Sequence, residues 1–301
     1  MVQYIKRKDL NIEKYNACIE NSIQSKIYAF TWYLDIVADN WDALVLDDYE
    51  AVMPVPWRKK YFIKYVYQPL WTLELGVFSK EVVDENEFLI ELFDAFRYTD
   101  LRMNTQNSFS MFEENRIEKQ FQFLSLKTDY QTILKNYNRN RKRELTKAKK
   151  NDLIENWNDN PEKLITIFKA NIAKRVKGIK SKDFLNLLKL MKVLIDKKAG
   201  NLLTIYDTKN NLVAAAFFLK YKGEVIQLVC ASDVKNRKNG AHTFFNDRAI
   251  FKYQPTFKKY NFGGSSMESI GAYYKTFGAK TIVYQQLKYN NLPKFMRFFK
   301  R

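Results

Sequence analysis

The sequence is poor in the residues that build metal centres, disulfide frameworks and flexible linkers. Its 301 residues include two cysteines and one histidine. Cys18 and Cys230 stand far apart and form no metal-ligand or disulfide pattern. A lone His242 excludes a histidine-rich zinc site, so no metal is expected. Nine glycines and six prolines leave no low-complexity linker. No apolar run approaches the ~18 residues that a membrane-crossing helix needs. The opening MVQYIKRKDL has cations but no apolar stretch or small-residue cleavage site behind it, so it does not read as a secretory leader. A cytoplasmic location is the expectation. Acid is also scarce: 33 acidic residues face 51 basic ones, a net charge of +18.

Bulk apolar material is plentiful. Apolar residues make up 46% and aromatics 16% of the chain, enough for a large core, and this argues against disorder. The length suits one large domain or two ordinary ones. The positive charge favours polyanionic partners: RNA, a nucleotide cofactor or anionic lipid. A basic, merely solvated surface explains the same number.

Periodicity reads as mixed α/β. NIEKYNACIENS and TWYLDIVAD are short helices. Ala43 to Leu46 and Glu50 to Val55 form a hairpin around a DD turn, with Pro54 and Pro56 pushing the return strand toward an edge. DENEFLIELFDAFRY is a helix with an acidic first turn. RIEKQFQFLSL alternates as a strand. The middle is helical: Asp129 caps one segment, and Tyr130, Leu134, Tyr137, Arg141, Leu145 and Ala148 recur along one stripe. Pro161 opens a second helix, and Gly200 ends a third. The last third reads β-β-β-α-β-α-β. Similar element order in the two halves predicts two related α/β domains packed together, divided at 1–128 and 129–301.

Three stretches carry a family resemblance: WDALVLDDYEAVMPVPWRKKYFIKYVYQPL, the basic NYNRNRKRELTKAKK, and KYNFGGSSMESIGAYYKTFGAK. Together they make the chain similar to the Fem-type aminoacyltransferases, in which two Gcn5-related N-acyltransferase (GNAT) domains are joined. The coiled-coil arm that some cell-wall members insert has no counterpart here, which weakens any carry-over to peptidoglycan bridge synthesis. The resemblance implies mixed sheets with flanking helices, and transfer of an acyl or aminoacyl group to an amine. It implies no tightly bound cofactor, and acyl-coenzyme A or aminoacyl-tRNA as phosphate-bearing co-substrate.

Candidate residues follow. In VKNRKNGAHTFF, related acyltransferases hold the donor pyrophosphate on a Gly-rich turn. Arg237, Gly240 and Ala241 are a partial copy of that pattern, with Lys235, Lys238 and His242 beside them. A helix start presents free N–H groups to an anion, and glycine permits close approach. A basic loop capping a helix is the plainer explanation. In GGSSMESIGAYYK, Ser265 or Ser266 caps a helix and Glu268 is a candidate base or holder of the acceptor amine. Ser265 as nucleophile lacks a base partner. The resemblance places an aromatic–lysine pair, here Tyr274 and Lys275, near the reacting centre, where a lysine stabilises an oxyanion. Helix capping and surface charge explain the segment equally. Arg141 lies on the apolar stripe, so its guanidinium needs a carboxylate or a substrate phosphate. Lys142 beside it, and Lys59 and Lys60 in a second basic-aromatic cluster, are candidate anion or nucleic-acid contacts. The competing readings are a non-catalytic nucleic-acid-binding protein and a lipid-surface protein. The enzyme reading expects the 237–242 turn and the helix bearing Tyr274 and Lys275 to open onto one cavity.

Overall fold

The computed structural model describes residues 1–157, 159–172, 178–234, 237–264, 267–294 and 296. The chain divides into two compact units, one of residues 1–119 and 283–301, the other of residues 120–282. The sequence-based division at 128/129 contains no such return. It arises because the last strand pairs inside the first unit.

The first unit builds a sheet in the order β1 (Val2–Lys6), β2 (Asn40–Leu46), β3 (Ala51–Lys60), β4 (Ile63–Tyr67), β6 (Tyr98–Arg102) and β13 (Lys280–Asn290), the last from residue 283 onward. The short β5 (Phe78–Ser79) pairs with the start of β3. The expected hairpin is present but longer: Leu46 pairs with Ala51 and Asn40 with Trp57. Pro54 and Pro56 lie inside β3 rather than at its end. On its far side β3 meets β5 at Ala51 and Val52 and β4 from Trp57 on. The intervening stretch has no ladder partner there, which is where residues without an N–H are tolerated.

Three helices cover this sheet. Asn11 caps α1 (Ile12–Asn21) by accepting from the Lys14 amide at 3.0 Å. α1 packs on β3 and β5, α2 (Thr31–Val37) on β2, and α3 (Glu85–Ala95) on β1 and β2. Asp84 caps α3, and Phe88, Leu89 and Leu92 are buried at helical spacing. Each such side chain contributes about 1.5–3 kcal/mol of burial.

The second unit has the order β7 (Arg116–Ser125), β12 (Lys259–Gly264), β11 (Glu224–Ser232), β10 (Leu212–Tyr221), β9 (Gly200–Tyr206) and β8 (Ile154–Asn156). Only β11 and β12 run parallel among these pairs. Its helices are α4 (Tyr130–Lys135), α5 (Arg139–Lys150), α6 (Glu162–Asn171), α7 (Ser181–Asp196), α8 (Ala241–Tyr253) and α9 (Glu268–Lys275). Asp129 caps α4 as expected, accepting from the Thr132 amide at 3.0 Å. The stripe through residues 130–148 is split between two helices, because Asn138 starts a new one and accepts from the Arg141 amide. Tyr137, Arg141 and Ala148 still point inward. The edge strand β8 lies where the sequence reads as helical throughout. Phe218, Phe245, Tyr260, Phe262 and Phe277 are central to the core of this unit.

One buried acid makes the first unit pH-sensitive. Glu85 opens α3 and accepts from the Asn107 side chain at 2.8 Å and the Ser108 amide at 2.6 Å. Burial outweighs those bonds and pushes its carboxyl up to about 7. The folded chain therefore holds a proton that the unfolded chain releases, and stability falls as pH rises from the ordinary glutamate range to about 7. Unfolding free energies from urea titrations are expected to decline across that window by an amount on the order of 3 kcal/mol. Glu85→Gln should flatten the decline. An unchanged slope in the variant would assign it to other groups.

Candidate functional site

The ladder between the two parallel strands is short. Glu224, Val225 and Ile226 of β11 pair with Lys259, Tyr260 and Asn261 of β12, and the pairing goes no further among the described residues. Both strands continue, β11 to Ser232 and β12 to Gly264. Two local irregularities lie just beyond the ladder's end. Opposite β10, Phe217 faces Val229 and Phe218 faces Gln227, so Leu228 is an extra residue in a β-bulge. In β12, Gly263 adopts φ +79° and brings its backbone against Gln227; a Cβ there would sit 2.6 Å from the Gln227 carbonyl oxygen. The chain leaves β11 by a 3-10 turn, Arg237–Asn239, and enters α8.

A buried hydrogen-bonded chain starts where the strands part. Gln227 is 3% exposed. Its Nε2 donates to the Tyr274 hydroxyl at 3.1 Å and approaches Cys230 Sγ at 3.2 Å. Its Oε1 accepts from the Tyr260 hydroxyl at 3.0 Å. Asn246 lies 3.3 Å from that hydroxyl and donates to the His242 carbonyl at 2.8 Å. Tyr274 stacks on Phe262 at 4.5 Å between centroids. Burial holds its phenol well above the usual tyrosine value, and pushes the Cys230 thiol up to about 12. Both groups are therefore proton donors near neutrality, not bases or thiolate nucleophiles.

A second cluster gathers at the start of α8. Arg141 is 8% exposed, and its Nη1 donates to Thr243 Oγ1 at 2.5 Å. The guanidinium lies 4.5 Å from the Tyr273 ring centroid and 5.8 Å from that of Phe277. Its Nε has no hydrogen-bond partner, and no carboxylate pairs with it among the described residues. Burial pushes the Tyr273 phenol up to about 12, against the opposing pull of Thr243 and Arg141. His242 makes edge contacts with Tyr273 and Phe245, and its Nδ1 lies 2.9 Å from Ser232 Oγ.

The residues singled out from sequence separate into groups. The turn and α9 meet through the packed side chains of His242, Thr243 and Tyr273. Tyr274 faces inward; Lys275 and Glu268 lie on the exposed side of α9. Gly240 is buried at φ +85° against α5, with a hypothetical Cβ 2.4 Å from the Glu144 carbonyl oxygen. The Ala241 amide is already capped by Asn239 Oδ1 at 2.9 Å, so part of the helix-start donor set is used internally. Arg237 and Lys238 lie in the preceding turn, and Lys238 is exposed. Lys142 is exposed on α5, its Nζ donating to the Lys135 carbonyl. Lys59 and Lys60 belong to the other unit, at the end of β3. Lys235, Ser265 and Ser266 lie outside the described residues. Gln227, Asn246 and Thr243 carry no expectation from the sequence, and Tyr273 only that of packing on its helix; a glutamine inside the apolar run VIQLVC is the available signal.

Gly240→Ala tests the packing role of that glycine. The new Cβ meets main chain that cannot swing aside and forces a left-handed residue, together costing about 3 kcal/mol. A clear fall in the urea midpoint is expected. An unchanged midpoint would remove helix packing as the reason for glycine.

No protein-family model matches the chain, and no curated protein matches it in sequence. Solved structures do match in shape. The structure titled FemX superposes with a TM-score of 0.63 at 10% identity, covering 97% of this chain and 99% of that one. A conserved protein of unknown function from Bacteroides thetaiotaomicron gives 0.63 at 12% identity, over 96% and 99% of the two chains. A tandem GNAT protein from the clavulanic acid biosynthesis pathway gives 0.55 at 8% identity, over 97% and 100%. Identities this low speak to architecture alone, and on that ground the chain has the α/β fold of the Fem-type and tandem Gcn5-related N-acyltransferases.

Proposed function

We propose that the protein is an acyltransferase that moves an acyl or aminoacyl group from a phosphate-bearing donor, acyl-coenzyme A or aminoacyl-tRNA, to an amine. The observation that carries this reading is the parting of β11 from β12 in a chain of this fold. Two parallel strands that separate leave backbone N–H and C=O groups facing a slot, which suits an extended donor arm. The bulge at Leu228 interrupts the β10–β11 ladder at the same level, and main-chain donors released there are proposed to stabilise a developing oxyanion.

In the proposed reaction the acceptor nitrogen attacks the donor carbonyl. A C–N bond forms, the C–S or C–O bond to the carrier breaks, and the nitrogen releases a proton. The leaving sulfur or oxygen gains one, and the proton lost by the nitrogen restores the group that supplied it. Tyr274, whose phenol stays protonated, is the proposed supplier, with Gln227 holding its oxygen in place. Donor phosphates are assigned to Arg141, together with Arg237 and Lys238 in the turn ahead of α8. Arg141 supports this because its guanidinium is buried without a carboxylate. Lys275 and Glu268, exposed on α9, are proposed to receive the acceptor rather than to act at the reacting carbon.

Tyr274→Phe removes one hydroxyl. It should lower kcat about 100-fold and leave the donor KM within about twofold, read as thiol release from acetyl-coenzyme A or amide formation from aminoacyl-tRNA. An unaltered kcat would remove Tyr274 from the reaction. Failure of both donors to bind or react would overturn the transferase reading.

Arg141→Met keeps the apolar bulk and removes the cation. Donor KM should rise about 10-fold while the urea midpoint holds or increases, because an unpaired buried charge is itself destabilising. A large loss of stability with unchanged KM would make Arg141 structural. A second reading, non-catalytic nucleic-acid binding, is favoured by one feature: Arg139, Lys142, Arg143, Lys149 and Lys150 are all exposed on α5. Steeply salt-dependent tRNA binding without turnover would select it.

A further inference from the structure

The hairpin joining β3 to β4 is built against its own folding preferences. Lys60 pairs with Ile63, so Tyr61 and Phe62 form a two-residue turn. Both have positive φ, 48° and 66°. Turns of this kind favour Asn-Gly, and large aromatic side chains in the left-handed region are strained. One register position back, Lys59 faces Lys64 directly across the ladder. Like charges at that spacing repel. Neither lysine forms an ion pair among the described residues; Lys59 lies 5.6 Å from the Phe62 ring centroid and Lys64 4.4 Å from that of Trp57.

The strained side chains point into solvent. Tyr61 is 61% exposed and Phe62 92% exposed. Beside them is a small, open apolar recess walled by Ile63, Tyr65, Tyr98 and Leu292, with Lys60 at its rim. The sequence after Leu292 reads PKFMRFFKR: three phenylalanines, four cations and no acid in nine residues. It repeats the composition of the hairpin.

We propose that the Tyr61–Phe62 hairpin docks the protein on an anionic lipid bilayer. Phe62 and Tyr61 enter the boundary between headgroups and acyl chains, and Lys59, Lys60 and Lys64 meet lipid phosphates. Strain and charge repulsion kept at an exposed tip point to a binding role. Charge decides the partner. The lysines repel a second copy of a chain carrying +18 and attract an anionic surface. The apolar walls of the recess favour an acyl chain over a nucleobase, whose edges require polar partners.

The test uses the full chain and co-sedimentation with vesicles of mixed phosphatidylglycerol and phosphatidylcholine, against phosphatidylcholine alone. The wild type should bind the anionic vesicles, more weakly as salt rises. Tyr61→Asn combined with Phe62→Gly installs the preferred turn, so its melting temperature should hold or increase while vesicle affinity falls at least about 10-fold. Lys59→Ser and Lys64→Ser should each lower affinity about fivefold. Absence of wild-type binding, or undiminished binding by the Asn-Gly variant, overturns the proposal. Retention of single-stranded oligonucleotide without vesicle binding also overturns it and gives the surface to nucleic acid.

Discussion

The second unit is organised around a parallel strand pair that separates after three residue pairs. Both strands are irregular just beyond that point. Gly263 lets the β12 main chain press against the Gln227 carbonyl, and the bulge at Leu228 diverts β11. The Gln227 side chain then links three elements, meeting Tyr260 on β12, Tyr274 on α9 and Cys230 on its own strand. A buried amide with a partner at each end resists displacement, because breaking any one bond leaves a desolvated polar group behind. The position of Tyr274, and with it the proposed chemistry, depends on that link.

The net charge of +18 is not one feature but several. Some cations are structural. Lys26 meets Glu74 at 2.7 Å with both side chains largely buried, and Arg248 meets Glu155 at 3.0 Å. Arg58 pairs with Asp39 at 2.6 Å while lying over the Tyr67 ring. Others have no such partner among the described residues. Arg141 is buried beside rings and a hydroxyl, and Lys59 and Lys64 face each other at a strained tip. Paired cations stabilise the fold or are neutral to it; cations held without acids are where an external anion has most to offer.

Local rules made much of the fold legible. Caps at Asn11, Asp84 and Asp129 follow from side-chain oxygens placed ahead of apolar periodicity. The β-β-β-α-β-α-β order at the end of the chain follows from alternation and turn residues. The departures have physical causes. Residues 130–150 keep one apolar stripe across two helices, because Asn138 serves as a new cap and its amide reaches the Thr276 carbonyl. β8 is too short for its period to register. Gly240 reads as a ligand-approach glycine from its motif, yet the close neighbour is another helix, which motif spacing does not encode.

The sequence by itself determined the α/β class, the element order, the apolar stripe that draws Arg141 inward and the basic, aromatic character of KKYFIK. Each depends on residues within a few positions of one another. Only the tertiary structure decided that Tyr274 turns inward while Lys275 faces solvent, that Arg141 meets Thr243 and Tyr273 instead of a carboxylate, and that the last strand belongs with the first unit. Those outcomes rest on contacts between residues about 100 or more positions apart in several cases. Burial, hydrogen-bond satisfaction and strand register settle such contacts across the whole unit at once.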